Sequence, residues 1–266
     1  MSRRGMGLPE PTEGSIALVT GASSGIGIEL ARGLSRRGWT VGLIARRQER
    51  LEELAKELGT RAEVLPCDLE DAAARDDLAR RVDALGLTVE VLCNNAGYGT
   101  YGDFDELDRE RELAMVRANV EALVDLAGRY VPGMVQRGRG GVLNTASTSA
   151  FQPIPGNATY AASKAFVLSW SEALHTELAG KGVTVTAVCP GPVKTEFQDV
   201  ANAHDFADKL PKPLWVDPAK VADKALSARE RGARVVTPGT GNRVTGRLSR
   251  LTPNAVLLRV LRAQST

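Results

Sequence analysis

Cysteine is scarce in this chain: Cys67, Cys93 and Cys189 are the only three among 266 residues, and no C-x-x-C pair occurs. Each closes an apolar run, so buried reduced thiols are expected rather than a disulfide framework or a thiolate metal centre, and no metal site is expected. A charge excess of one sign is missing too. The 34 basic and 32 acidic side chains leave a formal net charge of +2, too little to argue for nucleic acid, and no basic stripe interleaved with aromatics is visible. No apolar run of useful length follows Arg3 and Arg4, and none is long enough to span a bilayer. Internal repeats and low-complexity segments are lacking as well. A cytoplasmic globular protein is therefore expected, with residues 1–13 as a flexible tail.

What the chain does have is core-forming material, 43% of its residues being hydrophobic. Its length is within reach of one α/β domain, which can run to about 250 residues. Strand-like runs alternate with helical ones. Ile16–Thr20 precedes a helical stretch through Arg37; Thr40–Ala45 precedes Gln48–Leu58; Ala62–Pro66 precedes Ala72–Leu85. Val89–Cys93 is followed by a helix around Glu106–Tyr130, Gly141–Ala146 by a helix over Ala158–Leu178, Val183–Cys189 by a loop, and Pro218–Arg231 by strand Arg234–Thr237. This alternation predicts a single-domain, Rossmann-like, doubly wound parallel sheet of about seven strands with helices on both faces. Ligands then belong at the carboxyl ends of the strands. Gly21, Arg46, Asp68, Asn94, Ser147 and Pro190 all fall at that edge.

Directly after the first strand comes Gly21-Ala-Ser23-Ser24-Gly25-Ile26-Gly27, which opens a helix. In a strand, turn, helix context such glycines let the backbone approach a pyrophosphate, and the helix N-terminus presents free N–H groups and the positive end of its dipole. The spacing, G-x-x-x-G-x-G, departs from the common dinucleotide fingerprint.

Tyr160 and Lys164 lie four apart in a helical stretch free of Pro and Gly, so phenol and ammonium rise from one face. A free phenol titrates near ~10. Lowering that by two units takes roughly 2.7 kcal/mol of preference for phenolate, and a cation about 4 Å away at an effective dielectric of ~20 offers up to about 4 kcal/mol. Lys164 is thus expected to lower the Tyr160 pKa. By itself such a pair is more often a chance one, with one side chain packed and the other solvated.

Taken together, the G-x-x-x-G-x-G turn, Asn94-Asn95-Ala96-Gly97, Asn119, Ser147, Tyr160-x-x-x-Lys164 and Pro190-Gly191, in this order, resemble the classical short-chain dehydrogenase/reductase family over roughly residues 14–240. The extended branch of that family usually has a different glycine spacing and a longer C-terminal region. The resemblance implies hydride transfer between a nicotinamide and a carbonyl carbon. Tyr160 would give a proton to the developing alkoxide, Ser147 would orient the same oxygen, and Lys164 would stabilise phenolate and hold the nicotinamide ribose. Asn119 would position a water in a proton path, or serve only as a polar group that kinks its helix. Ser23, Ser24 and Ile26 share the glycine turn; Asp68 and Leu69 would meet the adenine, although Asp68 also suits a helix N-cap. Asn95, Ala96 and Gly97 would line the cofactor, Pro190, Gly191 and Val193 would pack along the nicotinamide, and Thr195 would bond its carboxamide.

The second strand ends Leu43-Ile44-Ala45-Arg46-Arg47, where an NAD-binding relative usually carries an acidic residue. Two guanidiniums there offer charge-assisted bonds to a 2′-phosphate, so NADP(H) is expected over NAD(H). A solvated helix start is the alternative for both arginines.

Residues 193–216, with Phe197, Phe206, Leu214 and Trp215, occupy the place of a mobile substrate lid. Tyr98, Tyr101, Phe104, Phe151 and Ile154 flank strand ends and could line an apolar pocket or simply pack. The run Gly97-Tyr-Gly-Thr-Tyr-Gly102 and the C-terminal extension, residues 241–266, look similar to ketoacyl and ketosteroid reductases of the family. That extension mixes Leu248, Leu251, Val256 and Leu257 with Arg247, Arg250 and Arg259. A basic amphipathic segment of this kind covers a hydrophobic patch or a subunit interface, or contacts an anionic membrane. The expected function is NADPH-dependent reduction of an apolar ketone or 3-oxoacyl compound in a homodimer or homotetramer. The alternatives are a catabolic secondary-alcohol dehydrogenase and a non-enzymatic NADP-sensing or scaffolding protein.

Overall fold

The computed structural model describes residues 9–59, 61–203 and 210–264. Seven parallel strands form one sheet in the order β3-β2-β1-β4-β5-β6-β7. They are β1 (Ser15–Thr20), β2 (Thr40–Ala45), β3 (Ala62–Pro66), β4 (Thr88–Asn94), β5 (Gly140–Thr145), β6 (Val183–Val188) and β7 (Val235–Val236). The order reverses between β1 and β4, which register Val19 against Cys93. A cleft opens at such a reversal, because the crossovers leave in opposite directions.

Burial on both sides of the sheet follows from the strand period of two. Ala17 and Val19 of β1 pack with α1 (Gly25–Ser35), α2 (Gln48–Glu57) and α8 (Pro218–Glu230). Ile16 and Leu18 pack with α3 (Ala72–Ala84) and α5 (Ala122–Arg137). Each fully buried Leu or Ile contributes about 1.5–3 kcal/mol, so every internal β1 side chain holds a helix layer. Cys67, Cys93 and Cys189 are buried and unpaired, as expected, and burial holds their thiols well above the usual range.

One expected helix proves to be three segments. In place of Glu106–Tyr130 stand α4 (Arg109–Val116), a π-helical turn (Arg117–Glu121) and α5, which runs on to Arg137. Pro132 lies inside α5. A helix-interior proline costs ~3 kcal/mol, and the buried Val131 and Met134 on either side of it offset that. Beyond β5 come a 3₁₀ turn (Thr148–Phe151) and α6 (Ala158–Glu177).

The segment between β6 and α8 includes α7 (Phe197–Ala201) and a 3₁₀ turn (Lys212–Leu214). Val193 and Val216 form a parallel bridge, and Val216 N–H donates to the Pro192 carbonyl at 2.9 Å. This loop therefore leaves and returns at one point. Phe206, and residues 1–8 of the expected N-terminal tail, lie outside the described residues.

Two further helices, α9 (Thr240–Leu251) and α10 (Asn254–Gln264), follow β7, with Pro253 between them. Among the described residues no helix is long and apolar enough to cross a membrane.

Candidate active site

The glycine turn is shaped by close approaches that exclude any side chain. Gly21 (φ +68°) and Gly25 (φ +53°) take left-handed conformations. A Cβ on Gly27 would lie 2.0 Å from the Gly21 carbonyl oxygen, and one on Gly25 would lie 2.7 Å from Thr195 Cγ2. Ser24 holds the N-cap position of α1 without a side-chain bond to it, so the first N–H groups of the helix keep their capacity for an anion. Thr20, the last residue of β1, ties this turn to the β4 loop: its hydroxyl accepts the N–H groups of Asn95 and Ala96, both at 2.9 Å. Asn95 Nδ2 donates to the Thr20 carbonyl at 3.1 Å, and Thr145 Oγ1 donates to Asn95 Oδ1 at 3.2 Å.

A cleft of about 650 Å³ opens at the carboxyl edge. Every residue expected to bind cofactor lines it, apart from Gly27, which lies beneath the turn. Ser147, Tyr160 and Lys164 line the same cleft, but Asn119 does not. The shape and donor set fit a dinucleotide: a backbone cradle closed to side chains, an uncapped helix start, and two arginines at the end of β2.

Tyr160 and Lys164 rise together from the first turns of α6, and both are buried. Ser147 faces Tyr160 in the cleft and favours its phenolate. Ser147 Oγ also accepts the Ser149 N–H at 3.1 Å, capping the 3₁₀ turn. Lys164 Nζ donates to the Thr145 carbonyl at 3.0 Å and lies 5.7 Å from the centre of the Tyr160 ring. The Phe197 ring covers Tyr160 from the loop side, centroids 5.4 Å apart.

The expected lowering of the Tyr160 pKa by Lys164 is overturned here. Burial pushes the Tyr160 phenol up to about 12, against a smaller pull downward from Ser147. Burial likewise brings the Lys164 ammonium down to about 8, with Cys189 acting weakly the other way. The ammonium sits toward the ring and bonds a backbone carbonyl, so desolvation of the phenolate dominates. Two units correspond to about 3 kcal/mol in favour of the neutral phenol.

Asn119 lies within the π-helical turn and grips the backbone of Tyr98. Its Nδ2 donates to the Tyr98 carbonyl at 2.9 Å and to Ser163 Oγ at 3.1 Å, while Oδ1 accepts the Tyr98 N–H at 3.1 Å. Close to it, a Cβ on Gly97 would lie 2.7 Å from Asn119 Oδ1 and 3.2 Å from Lys164 Nζ. The amide thus brings the β4 loop against Lys164.

Where the cleft passes the end of β3, Asp68 Oδ1 accepts the Glu70 N–H at 3.0 Å. The N-cap of α3 is Asp71, whose side chain accepts from Ala73, so Asp68 caps the turn at Glu70 and not the helix itself. Arg47 donates from Nη2 to Ser23 Oγ at 3.1 Å and to the Ser23 carbonyl at 3.2 Å. Its Nη1 pairs with Glu196 at 2.8 Å, and Arg46 pairs loosely with Glu70 at 3.5 Å. A purely solvated helix start is thereby excluded for Arg47. Thr195 Oγ1 accepts the Phe197 N–H at 3.2 Å.

The far end of the cleft is lined by Tyr101, Ile154, Phe197, Leu214 and Trp215, with Gln152, Thr245 and Ser249 among them. Ser249 Oγ donates to Gln152 Oε1 at 2.7 Å. Of the expected pocket aromatics, Phe104 is 68% exposed and Phe151 faces a neighbouring hollow instead, packed against Gly246 and Arg250. The α9 wall, together with Thr20, Thr145, Ser163 and Glu196, was not anticipated from the sequence. Thr20 alone had a legible cue, being the last strand residue before the first glycine.

The family model for short chain dehydrogenase matches residues 15–205. A putative ketoacyl reductase of Streptomyces coelicolor is 35% identical over 245 residues, covering 85% of this chain and 94% of that protein. A short-chain dehydrogenase from Sphingobium yanoikuyae, solved in complex with NADPH, superposes with a TM-score of 0.78 at 32% identity, covering 89% of this chain and 94% of that one. A 3-ketoacyl-(acyl-carrier-protein) reductase from Brucella melitensis, solved with NADH, gives a TM-score of 0.78 at 27% identity and covers 86% and 98%.

Proposed function

The chain belongs to the short-chain dehydrogenase family and is a nicotinamide-dependent oxidoreductase acting on a small molecule, and from that membership we propose that it is an NADPH-dependent reductase of an apolar ketone or 3-oxoacyl compound. The observation that carries this reading is the placement of Tyr160: it is buried at the cleft beside Ser147 and Lys164, where burial favours the neutral phenol. A neutral phenol is a proton donor. An alkoxide forming beside it is the far stronger base, so donation runs downhill, and a positioned donor of this kind contributes about 10²–10⁴-fold in rate. Oxidation of an alcohol would need phenolate as the base, which burial disfavours.

Bound in the cleft, a nicotinamide cofactor supplies the hydride. The turn from Gly21 to Gly27, with Ser24, Ile26 and the start of α1, would hold the pyrophosphate. Ser23, Arg46 and Arg47 would take the 2′-phosphate, Asp68 and Leu69 the adenine, and Asn95, Ala96 and Gly97 the adjoining ribose side. Lys164 would hold the second ribose; Pro190, Gly191, Val193 and Thr195 would flank the nicotinamide.

Ser147 would orient the substrate oxygen beside the Tyr160 hydroxyl. After donation, the Lys164 charge would steady the phenolate until it is reprotonated. Asn119 would act on this path by fixing the Tyr98 backbone and the loop that borders Lys164. Residues 193–216 would form the lid, pinned at the Val193–Val216 bridge. Apolar lining by Ile154, Leu214 and Trp215 supports a substrate with a hydrophobic body. Exposed Leu113, Val116, Val124 and Phe166 on α4, α5 and α6 support a homo-oligomer built on that side.

A panel of ketones and alcohols, read by NADPH absorbance, tests the reading. Lengthening apolar ketones should raise kcat/KM severalfold along the series, since each buried methylene adds up to about 0.8 kcal/mol. A flat profile, or preference for polyhydroxylated sugars, would move the substrate to polar alcohols.

A further inference from the structure

The two arginines at the end of β2 are engaged unequally. Arg46 is 62% exposed and meets Glu70 only at 3.5 Å. Arg47 has both edges of its guanidinium committed, Nε and Nη2 to Ser23 and Nη1 to Glu196. Arg50 reaches the other carboxylate oxygen of Glu196 at 3.6 Å. Glu196 lines the catalytic cleft and stands immediately before α7. Its chain neighbours touch the centre of the site: Thr195 lies against Gly25, and Phe197 lies over Tyr160. The Glu196 ion pairs therefore join the β2–α2 corner to the start of the loop covering the cleft.

We propose that Glu196 is a specificity-determining residue: it holds the guanidinium edge that a 2′-phosphate would take, so a phosphorylated cofactor must displace it and an unphosphorylated one need not. This rests on the assignment of Arg46 and Arg47 to the 2′-phosphate. A phosphate dianion and the Glu196 carboxylate repel each other and compete for the same donors. Exposed ion pairs are weak, whereas phosphate meets a guanidinium with two charge-assisted bonds. The phosphate wins that exchange, at a reduced net affinity. Displacement also detaches Thr195-Glu196-Phe197 from α2, so NADPH and NADH would leave the loop tethered differently.

The test is calorimetric titration of the purified full-length protein with NADPH and with NADH. Glu196→Gln keeps the size of the side chain and removes its charge. It should tighten NADPH about fivefold, equivalent to about 1 kcal/mol, while NADH changes less than twofold. Glu196→Asp keeps the charge but shortens the reach, and should shift the NADPH:NADH ratio in the same direction. In an Arg47→Met background the effect of Glu196→Gln should shrink, leaving only the relief of charge repulsion. An unchanged or reduced ratio in Glu196→Gln overturns the proposal, as does an Asp variant that tracks the parent. The parent separates the two readings. Equal affinities in the parent with a gain in the variant would remove the NADPH assignment and keep Glu196; a parent tenfold selective for NADPH with no gain would do the reverse.

Discussion

Lys164 points its ammonium at the ring of Tyr160, 5.7 Å from the centroid, and spends a hydrogen bond on the Thr145 carbonyl at 3.0 Å. Burial moves the two groups in opposite senses from their usual values. Tyr160 holds its proton up to about 12, and Lys164 gives up its proton near 8.

The pH dependence of turnover follows from that pair. Tyr160 is protonated throughout the accessible range, so the group that changes is Lys164, charged below about 8 and neutral above. Its charge is what steadies phenolate after donation. Reductive kcat should accordingly fall as pH rises through about 8, and the inflection should be absent in Lys164→Met. A profile level to pH 10 would show that the ammonium plays no part.

Removing only the hydroxyl, Tyr160→Phe should lower kcat at least about a hundredfold with the melting temperature and NADPH affinity little changed. Thermal denaturation and cofactor titration check the second half of that statement. A variant that keeps most of its turnover would unseat Tyr160 as proton donor.

Gly27→Ala should cost about 1–3 kcal/mol of stability by overpacking, because the new methyl meets the Gly21 carbonyl oxygen at 2.0 Å and Asn95 Nδ2 at 2.9 Å. Backbone must move, and the turn that moves is the one proposed to hold pyrophosphate. Cofactor affinity measured by fluorescence should drop more than tenfold, whereas wild-type affinity would mean that the turn lies outside the cofactor site.

Arg229 of α8 is fully buried against Gly141, and its Nε and Nη1 have no hydrogen-bond partner among the described residues. Nη2 makes only a 3.4 Å contact to Thr184 Oγ1. Burial draws its pKa down to about 10, the mark of an uncompensated cation. Arg229→Met fills similar volume without charge and should raise stability by about 1–4 kcal/mol, read by urea unfolding. A loss of that size would show that the guanidinium anchors α8 to β6.

Much of this was legible in the chain itself. Alternation of strand and helix placed the glycine turn and Ser147 at one sheet edge, spacing placed Tyr160 and Lys164 on one helix face, and the structure gathers them at one cleft. Strand ends moved by one residue at most. The pKa order of Tyr160 and Lys164 was not legible, since a spacing of four fixes a shared helix face but says nothing about how deeply that face is buried. Nor was the run of α5 through Pro132: local chemistry argues for a stop there, and only the packing of Val131 and Met134 reverses it. Glu196 and Arg47 stand 149 positions apart, and no local pattern links them.

Finally, the turn at Arg117–Glu121 that carries Asn119 is π-helical, a bulge that adds a residue to an α-helical path. Deleting one residue there would let the helix close smoothly and rotate Asn119 by about 100°, the angular share of one residue. Its amide would then leave the Tyr98 backbone, although Asn119, Ser147, Tyr160 and Lys164 would all still be present. The site is inherited as a length as well as a set of side chains. A relative that keeps all four residues but is one residue shorter between Asp108 and Arg137 would carry the signature without the geometry.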